Sequence, residues 1–141
     1  MAATKVLVDT GPIVAYLNRT DRHHAWAVDC WKALIDPLST CEAVLSEVVF
    51  LLQSEGHDPD AVLRLIERRI VRLDFTLDGH RADVFRLLRK YADRPMSVAD
   101  ACLVRMAELA DACQVFTTDR DFLVYRRKGR QVIPLLSPFD R

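Results

Sequence analysis

Glycine is scarce, four residues in 141, and nowhere does it gather with serine or proline into a linker. The chain therefore reads as one domain, 1–141, long enough to bury a real core. No apolar run approaches the roughly 20 residues of a membrane span. The N-terminus also lacks the basic-then-apolar plan of a signal peptide, so a cytoplasmic setting without membrane contact is expected. Net charge is missing too: 20 basic residues face 20 acidic ones, and no global basic field advertises nucleic-acid binding. Lysine is rare among the cations, four against sixteen arginines. Arginine suits phosphate contacts, but a coding bias gives the same skew, so the skew decides nothing. The four cysteines show neither CxxC nor Cys/His ligand spacing. That disfavours zinc and leaves buried free thiols as the expectation. No internal repeat or low-complexity segment interrupts the chain.

What is present begins at the N-terminus. Val6 to Val8 form a short β-branched apolar run, which predicts a buried strand. Asp9 stands where that run stops, and Thr10-Gly11-Pro12 turns the chain into a helix carrying Ile13, Val14 and Leu17. A strand that delivers an acid at its carboxyl end and passes at once into a helix is how open α/β folds build ligand sites. Asp-Thr-Gly is also an aspartic-protease signature. That chemistry needs two such acids sharing a proton, and this chain has one copy amid helical periodicity. Asp9 could equally serve as a plain helix cap.

Further along, Thr20-Asp21 opens a predicted helix with Ala27, Val28, Trp31, Leu34 and Ile35 on one stripe, ended by Asp36-Pro37. His23 and His24 are expected to be exposed in its first turn. Ala43 to Gln53 is apolar nearly all round, which predicts a buried helix, and Glu47 inside it is an anomaly. Asp58-Pro59 starts another helix with Val62, Leu65, Ile66 and Ile70 buried, and Arg64, Arg68 and Arg72 on another face. Val71 to Phe75 alternates as a strand, and Asp78 caps a helix carrying Val84, Leu87, Leu88 and Tyr91. Ser97 with Asp100 three residues on resembles a capping box at the head of an apolar helix, Val98 to Ala112. The strand Gln114 to Thr117 again ends in acids, Asp119 and Asp121. Arg126, Arg127, Lys128 and Arg130 read as a solvated basic loop. Val132 to Leu136 is the last strand, placed at an edge by Pro134.

Alternating β and α segments imply a three-layer α/β/α fold around a central, mostly parallel sheet. Parallel strands point their carboxyl ends at one edge, which gathers Asp9, Asp119 and the helix start bearing Asp100, with Glu47 able to join from a flanking helix. Converging carboxylates without histidine or cysteine suit a hard divalent cation, Mg²⁺ or Mn²⁺, and such sites serve phosphate-ester displacement. In order, Val8-Asp-Thr-Gly-Pro12, Ser46-Glu47, Ser97-Val-Ala-Asp100-Ala101 and Thr117-Thr-Asp119-Arg-Asp-Phe122 closely resemble the PIN-domain nucleases. Within these, they resemble the VapC-type toxins of toxin–antitoxin pairs. The resemblance spans almost the whole chain and implies a PIN-like fold and a Mg²⁺- or Mn²⁺-dependent endoribonuclease. It also implies an RNA substrate, a homodimer and a cognate antitoxin that inserts near the site. By position, Asp9, Glu47, Asp100 and Asp119 match the family's acidic quartet, with Asp121 as the alternative to Asp119. Thr10 and Thr117 match supporting hydroxyls. An RNA-processing nuclease without an antitoxin, or an inactive binding module whose acids only cap helices, stand as alternatives.

Overall fold

The computed structural model describes residues 3–139. In chain order the elements are β1 (Lys5–Val8), α1 (Thr10–Leu17), α2 (His24–Ala33), β2 (Leu38–Thr40), α3 (Glu42–Ser54), α4 (Asp60–Glu67) and β3 (Val71–Leu73). Then come α5 (Arg81–Lys90), α6 (Val98–Leu109), β4 (Cys113–Phe116), β5 (Arg126–Arg127), β6 (Gln131–Val132) and β7 (Leu135–Leu136). Five strands form one sheet in the order β3-β2-β1-β4-β7, every pairing parallel, and β5 and β6 form a separate antiparallel hairpin. Helices flank the sheet in the three-layer α/β/α arrangement expected. The chain builds outward from β1 to β2 and β3, then returns to lay β4 on β1's other side. Between β1 and β4 the winding reverses, and in parallel α/β sheets such a reversal opens a crevice at the carboxyl ends of the two strands.

The central strands are apolar because both faces are covered. Leu7, Val8, Val115 and Phe116 are fully buried. Phe116 receives the edges of Trp26 and Trp31 from α2, at 5.4 and 6.0 Å between centroids, and Tyr16 stacks on Trp31. Each such aromatic contact adds about 0.5–1.5 kcal/mol to the burial of the rings, so α1 and α2 are fixed to the strand pair that carries the site. α6 is buried along most of its length, Ala99 to Val104, Met106 and Ala107. Its last carbonyls, of Ala107 and Ala110, accept from the Arg127 guanidinium at 3.0 and 3.2 Å, a cationic cap where the helix dipole favours one.

Several expectations are corrected. β2 is a strand that the sequence does not announce: three residues, two of them hydroxylic, carry no periodic signal, and only its place between β1 and β3 makes it a strand. α2 ends at Ala33, before the expected end of its stripe, and Ile35 is 97% exposed. α3 is not buried all round; Val44, Val48 and Leu52 face the core while Phe50 is 62% exposed. Ile70 is likewise at the surface. Asp58 accepts from the Asp60 amide but Pro59 is the cap residue of α4. Asp78 opens a 3-10 turn, Asp78–His80, and α5 starts only at Arg81. α6 stops at Leu109, short of the expected Ala112. His23 and His24 are half-buried, His24 Nδ1 lying 2.7 Å from the Ala15 carbonyl oxygen. The basic segment is no simple loop, since Arg126 and Arg127 are half-buried hairpin residues. The last strand divides: β6 pairs with β5, while β7 takes the sheet edge. Pro134, which lacks an N–H, contributes its carbonyl oxygen to the Val115 amide at 2.9 Å.

Candidate metal centre

Asp9 leaves the end of β1 and caps α1. Its Oδ1 accepts the Thr10 amide at 2.8 Å and its Oδ2 accepts the Thr117 hydroxyl at 2.7 Å. Thr117 stands at the end of β4, fully buried, and its Oγ1 also receives the Asp119 amide at 2.9 Å. One hydroxyl thus joins the two strand ends and sets the turn that presents Asp119. Asp119 Oδ1 in turn accepts the Asp121 amide at 2.9 Å, so the acid is oriented by its own turn. Asp100 is the third residue of α6. The capping box is formed: the Asp100 amide donates to Ser97 Oγ at 3.0 Å and the Ser97 amide to Asp100 Oδ2 at 3.4 Å. The Tyr125 hydroxyl donates to the same Oδ2 at 3.0 Å. Both bonds fall on Oδ2 and fix the carboxylate in place.

One carboxylate oxygen from each of Asp9, Asp100 and Asp119 lies within 4.8 Å of the other two. Burial dominates the electrostatics of this group. It raises Asp9 from 3.8 to about 7, against the Thr117 hydrogen bond and with the Asp100 charge adding to it. It raises Asp100 to about 6, against the Tyr125 hydrogen bond and with help from the Asp119 charge. Asp119 is raised as well, by burial first. Three acids pushed toward neutrality in one crevice form a site short of positive charge, and the oxygen-only donor set fits a hard divalent cation.

The sequence-derived quartet is divided by the structure. Asp9, Asp100 and Asp119 come together; Glu47 is not among the three. It is half-buried on α3, and its Oε2 accepts the Thr10 hydroxyl at 2.8 Å. The supposed cost of burying Glu47 therefore does not arise. Asp121 is also outside the group, its carboxylate 3.6 Å from the Arg94 guanidinium. Three participants are not legible in the sequence. Tyr125 and Arg94 meet their acids only through tertiary packing and carry no motif. Gly11, though inside Asp-Thr-Gly, matters for space: a Cβ there would collide with the Thr118 hydroxyl and come to 3.2 Å from Thr118 Cβ. Gly11→Ala is expected to destabilise the fold by about 1–3 kcal/mol, as overpacking does. Adding Thr118→Ala should restore most of it, because alanine is the better helix former. Urea unfolding of both variants decides; a single variant as stable as the parent would show that Thr118 yields freely.

Comparison with known proteins points the same way. The family model of the PIN domain matches residues 6–128. Ribonuclease VapC26 of Mycobacterium tuberculosis (strain ATCC 25618 / H37Rv) is 26% identical over 117 residues, covering 82% of this chain and 87% of the relative. The crystal structure of VapC20 from the same species, a sarcin-ricin loop cleaving toxin, superposes with a TM-score of 0.72. It shares 24% identity over 83% of this chain and 92% of that one. That likeness bears on the fold.

Proposed function

The chain belongs to the PIN-domain family, and on that premise we propose that it is a divalent-metal-dependent endoribonuclease, the toxin of a toxin–antitoxin pair. The observation that carries the reading is the meeting of Asp9, Asp100 and Asp119 at the crevice between β1 and β4. The ribonuclease and toxin relatives support the substrate class and the toxin role. Asp9, Asp100 and Asp119 would hold Mg²⁺ or Mn²⁺. When bound, the cation supplies charge neutralisation at the scissile phosphate and a more acidic water.

The chain's own residues do the rest. Thr117 holds Asp9 and Asp119 in fixed orientation, and Tyr125 and Ser97 do the same for Asp100. Thr10, bonded through its amide to Asp9 and through its hydroxyl to Glu47, ties Glu47 to the site as an outer acid. Glu47→Gln is therefore expected to lower cleavage by roughly tenfold, less than loss of a member of the three, since it acts at one remove from the reacting phosphate. Single-turnover rates on a short RNA measure this. A loss equal to that of Asp9→Asn would place Glu47 in direct contact with the cation.

A cognate antitoxin as partner, a homodimer as the working form and cytoplasmic action complete the proposal; no helix among the described residues is long and apolar enough to cross a membrane. The deciding experiment is cleavage of defined single-stranded RNAs by the purified chain in Mn²⁺, in Mg²⁺ and in EDTA. Cleavage in the metals alone supports the nuclease. Its absence in all three, with the fold intact, leaves a binding module.

A further inference from the structure

The loop that leads from α5 into α6 carries a cation that the proposed cleavage leaves without a task, Arg94. Its backbone is held on both sides: the Arg94 amide donates to the Tyr91 carbonyl at 2.9 Å, and the Arg94 carbonyl accepts the Met96 amide at 2.8 Å. Tyr91 packs edge-on against Tyr125 at 5.1 Å, and the Tyr125 hydroxyl holds Asp100. The loop is thus anchored to a residue that orients the site, while the Arg94 side chain stays 39% exposed. Among the described residues that side chain has a single partner, Asp121, with Nη1 3.6 Å from Oδ1. This ion pair is longer than a hydrogen bond and both of its ends are partly in water, so it holds weakly. Asp121 gives its amide to the Asp119 carboxylate at 2.9 Å, which sets the guanidinium at the rim of the acidic crevice. Neighbouring cations are engaged elsewhere: Arg126 donates to three backbone carbonyls, Arg120 lies over the Phe139 ring, and Lys90 reaches the Gly129 carbonyl.

We propose that Arg94 binds a phosphate of the RNA strand next to the scissile one, and that Asp121 holds the guanidinium in that phosphate's place while RNA is absent. The inference rests on the nuclease reading for its ligand. Asp9, Asp100 and Asp119 gather negative charge in the crevice, and a cation held there neutralises only the phosphate it meets. A strand crossing the crevice carries a phosphate at every nucleotide, so the flanking ones need a partner of their own. Arginine presents parallel N–H donors that match a pair of phosphate oxygens, and it keeps its charge at every working pH. The Asp121 carboxylate is a poor occupant by comparison, at 3.6 Å and half in water, so a better-placed anion displaces it. Displacement leaves the metal centre undisturbed, because Asp121 serves Asp119 through its amide and not through its carboxylate.

The test measures binding of the full chain to a short fluorescent single-stranded RNA, by anisotropy, in EDTA at rising KCl. Arg94→Gln is expected to weaken binding about tenfold at low salt. It should also lower the slope of log Kd against log salt by about 0.7, the share of one phosphate on a single strand. Arg94→Lys keeps the charge and should restore the slope. Asp121→Asn should bind RNA several-fold more tightly, and the gain should vanish when Arg94→Gln is added. A pair serving structure alone would move the two single variants in the same direction, not in opposite ones. The proposal is overturned if the parent chain binds no RNA or if Arg94→Gln keeps the parent's slope. It is equally overturned if Asp121→Asn keeps its gain in the double variant, which would assign that gain to the general field. In Mn²⁺, Arg94→Gln should raise KM and leave kcat nearly unchanged. Cleavage with KM untouched by Arg94→Gln removes the arginine's role alone, whereas binding that follows these slopes without any cleavage removes the nuclease reading alone.

Discussion

Asp9→Asn is expected to abolish the proposed Mn²⁺-supported RNA cleavage, a loss of about a hundredfold or more, and at the same time to raise the melting temperature of the metal-free protein at pH 8. The first half follows from position. Asp9 is the acid shared by both strand ends, bonded to the amide of Thr10 and to the hydroxyl that also sets Asp119. An amide in its place offers a hard cation neither charge nor a second oxygen. The second half follows from burial. The folded protein holds Asp9 at about 7 against 3.8 for the ordinary group, so folding binds a proton between those values. Stability contributed by this group is therefore lost as pH rises through that window and is at its lowest above pH 7. Three pH units correspond to about 4 kcal/mol at most. The amide escapes this penalty and keeps hydrogen-bonding capacity toward Thr10 and Thr117. Melts in EDTA at pH 5 and pH 8 should show the variant gaining on the parent chain at the higher pH and little at the lower. Retained cleavage would falsify the assigned site, and a variant less stable at pH 8 would return Asp9 to the role of a helix cap.

Much of this is legible in the chain, and the reason is local chemistry. Asp9 after Val6–Val8 and Asp119 after the β4 residues are acids at strand ends, and parallel topology carries such ends to one edge. Ser97 and Asp100 form the capping box their spacing announces. What escapes a sequence reading depends on neighbours far along the chain. β2 is a strand because β1 and β3 lie on either side of it, not because of Leu-Ser-Thr. Glu47 reads as buried from the apolar residues around it, yet Phe50 beside it is largely exposed and the helix lies at the surface of its layer. The Tyr125 hydroxyl reaches Asp100 across 25 positions, and Arg94 meets Asp121 by way of a loop. No period or motif encodes these contacts. The choice between Asp119 and Asp121 is a case of the same kind: two residues apart, they differ because the turn at Thr117 aims one into the crevice and leaves the other to Arg94.

Mn²⁺ is expected to raise the melting temperature of the parent chain by several degrees at pH 7.5 and hardly at all at pH 5.5. Binding to the folded form alone stabilises it by about 2.7 kcal/mol at a hundredfold excess over the dissociation constant, worth roughly 7–11 °C in a chain of this size. The pH dependence comes from competition with protons. Without a cation Asp9 titrates at about 7 and Asp100 at about 6, both raised chiefly by burial, and Asp119 is raised too. At pH 7.5 most of these groups are ionised and a cation meets little competition. At pH 5.5 Asp9 and Asp100 are largely protonated, so binding must expel up to two protons. Apparent affinity then falls by up to about a hundredfold per pH unit. Asp100→Asn removes one charged donor while leaving the Ser97 cap on its amide, so its fold should survive with the Mn²⁺ shift mostly lost at either pH. The measurement is a set of melts with EDTA or Mn²⁺ at the two pH values for parent and variant. A shift independent of pH, or one that Asp100→Asn keeps in full, would move the cation away from these three aspartates and reduce them to the caps of α1, α6 and the turn after β4.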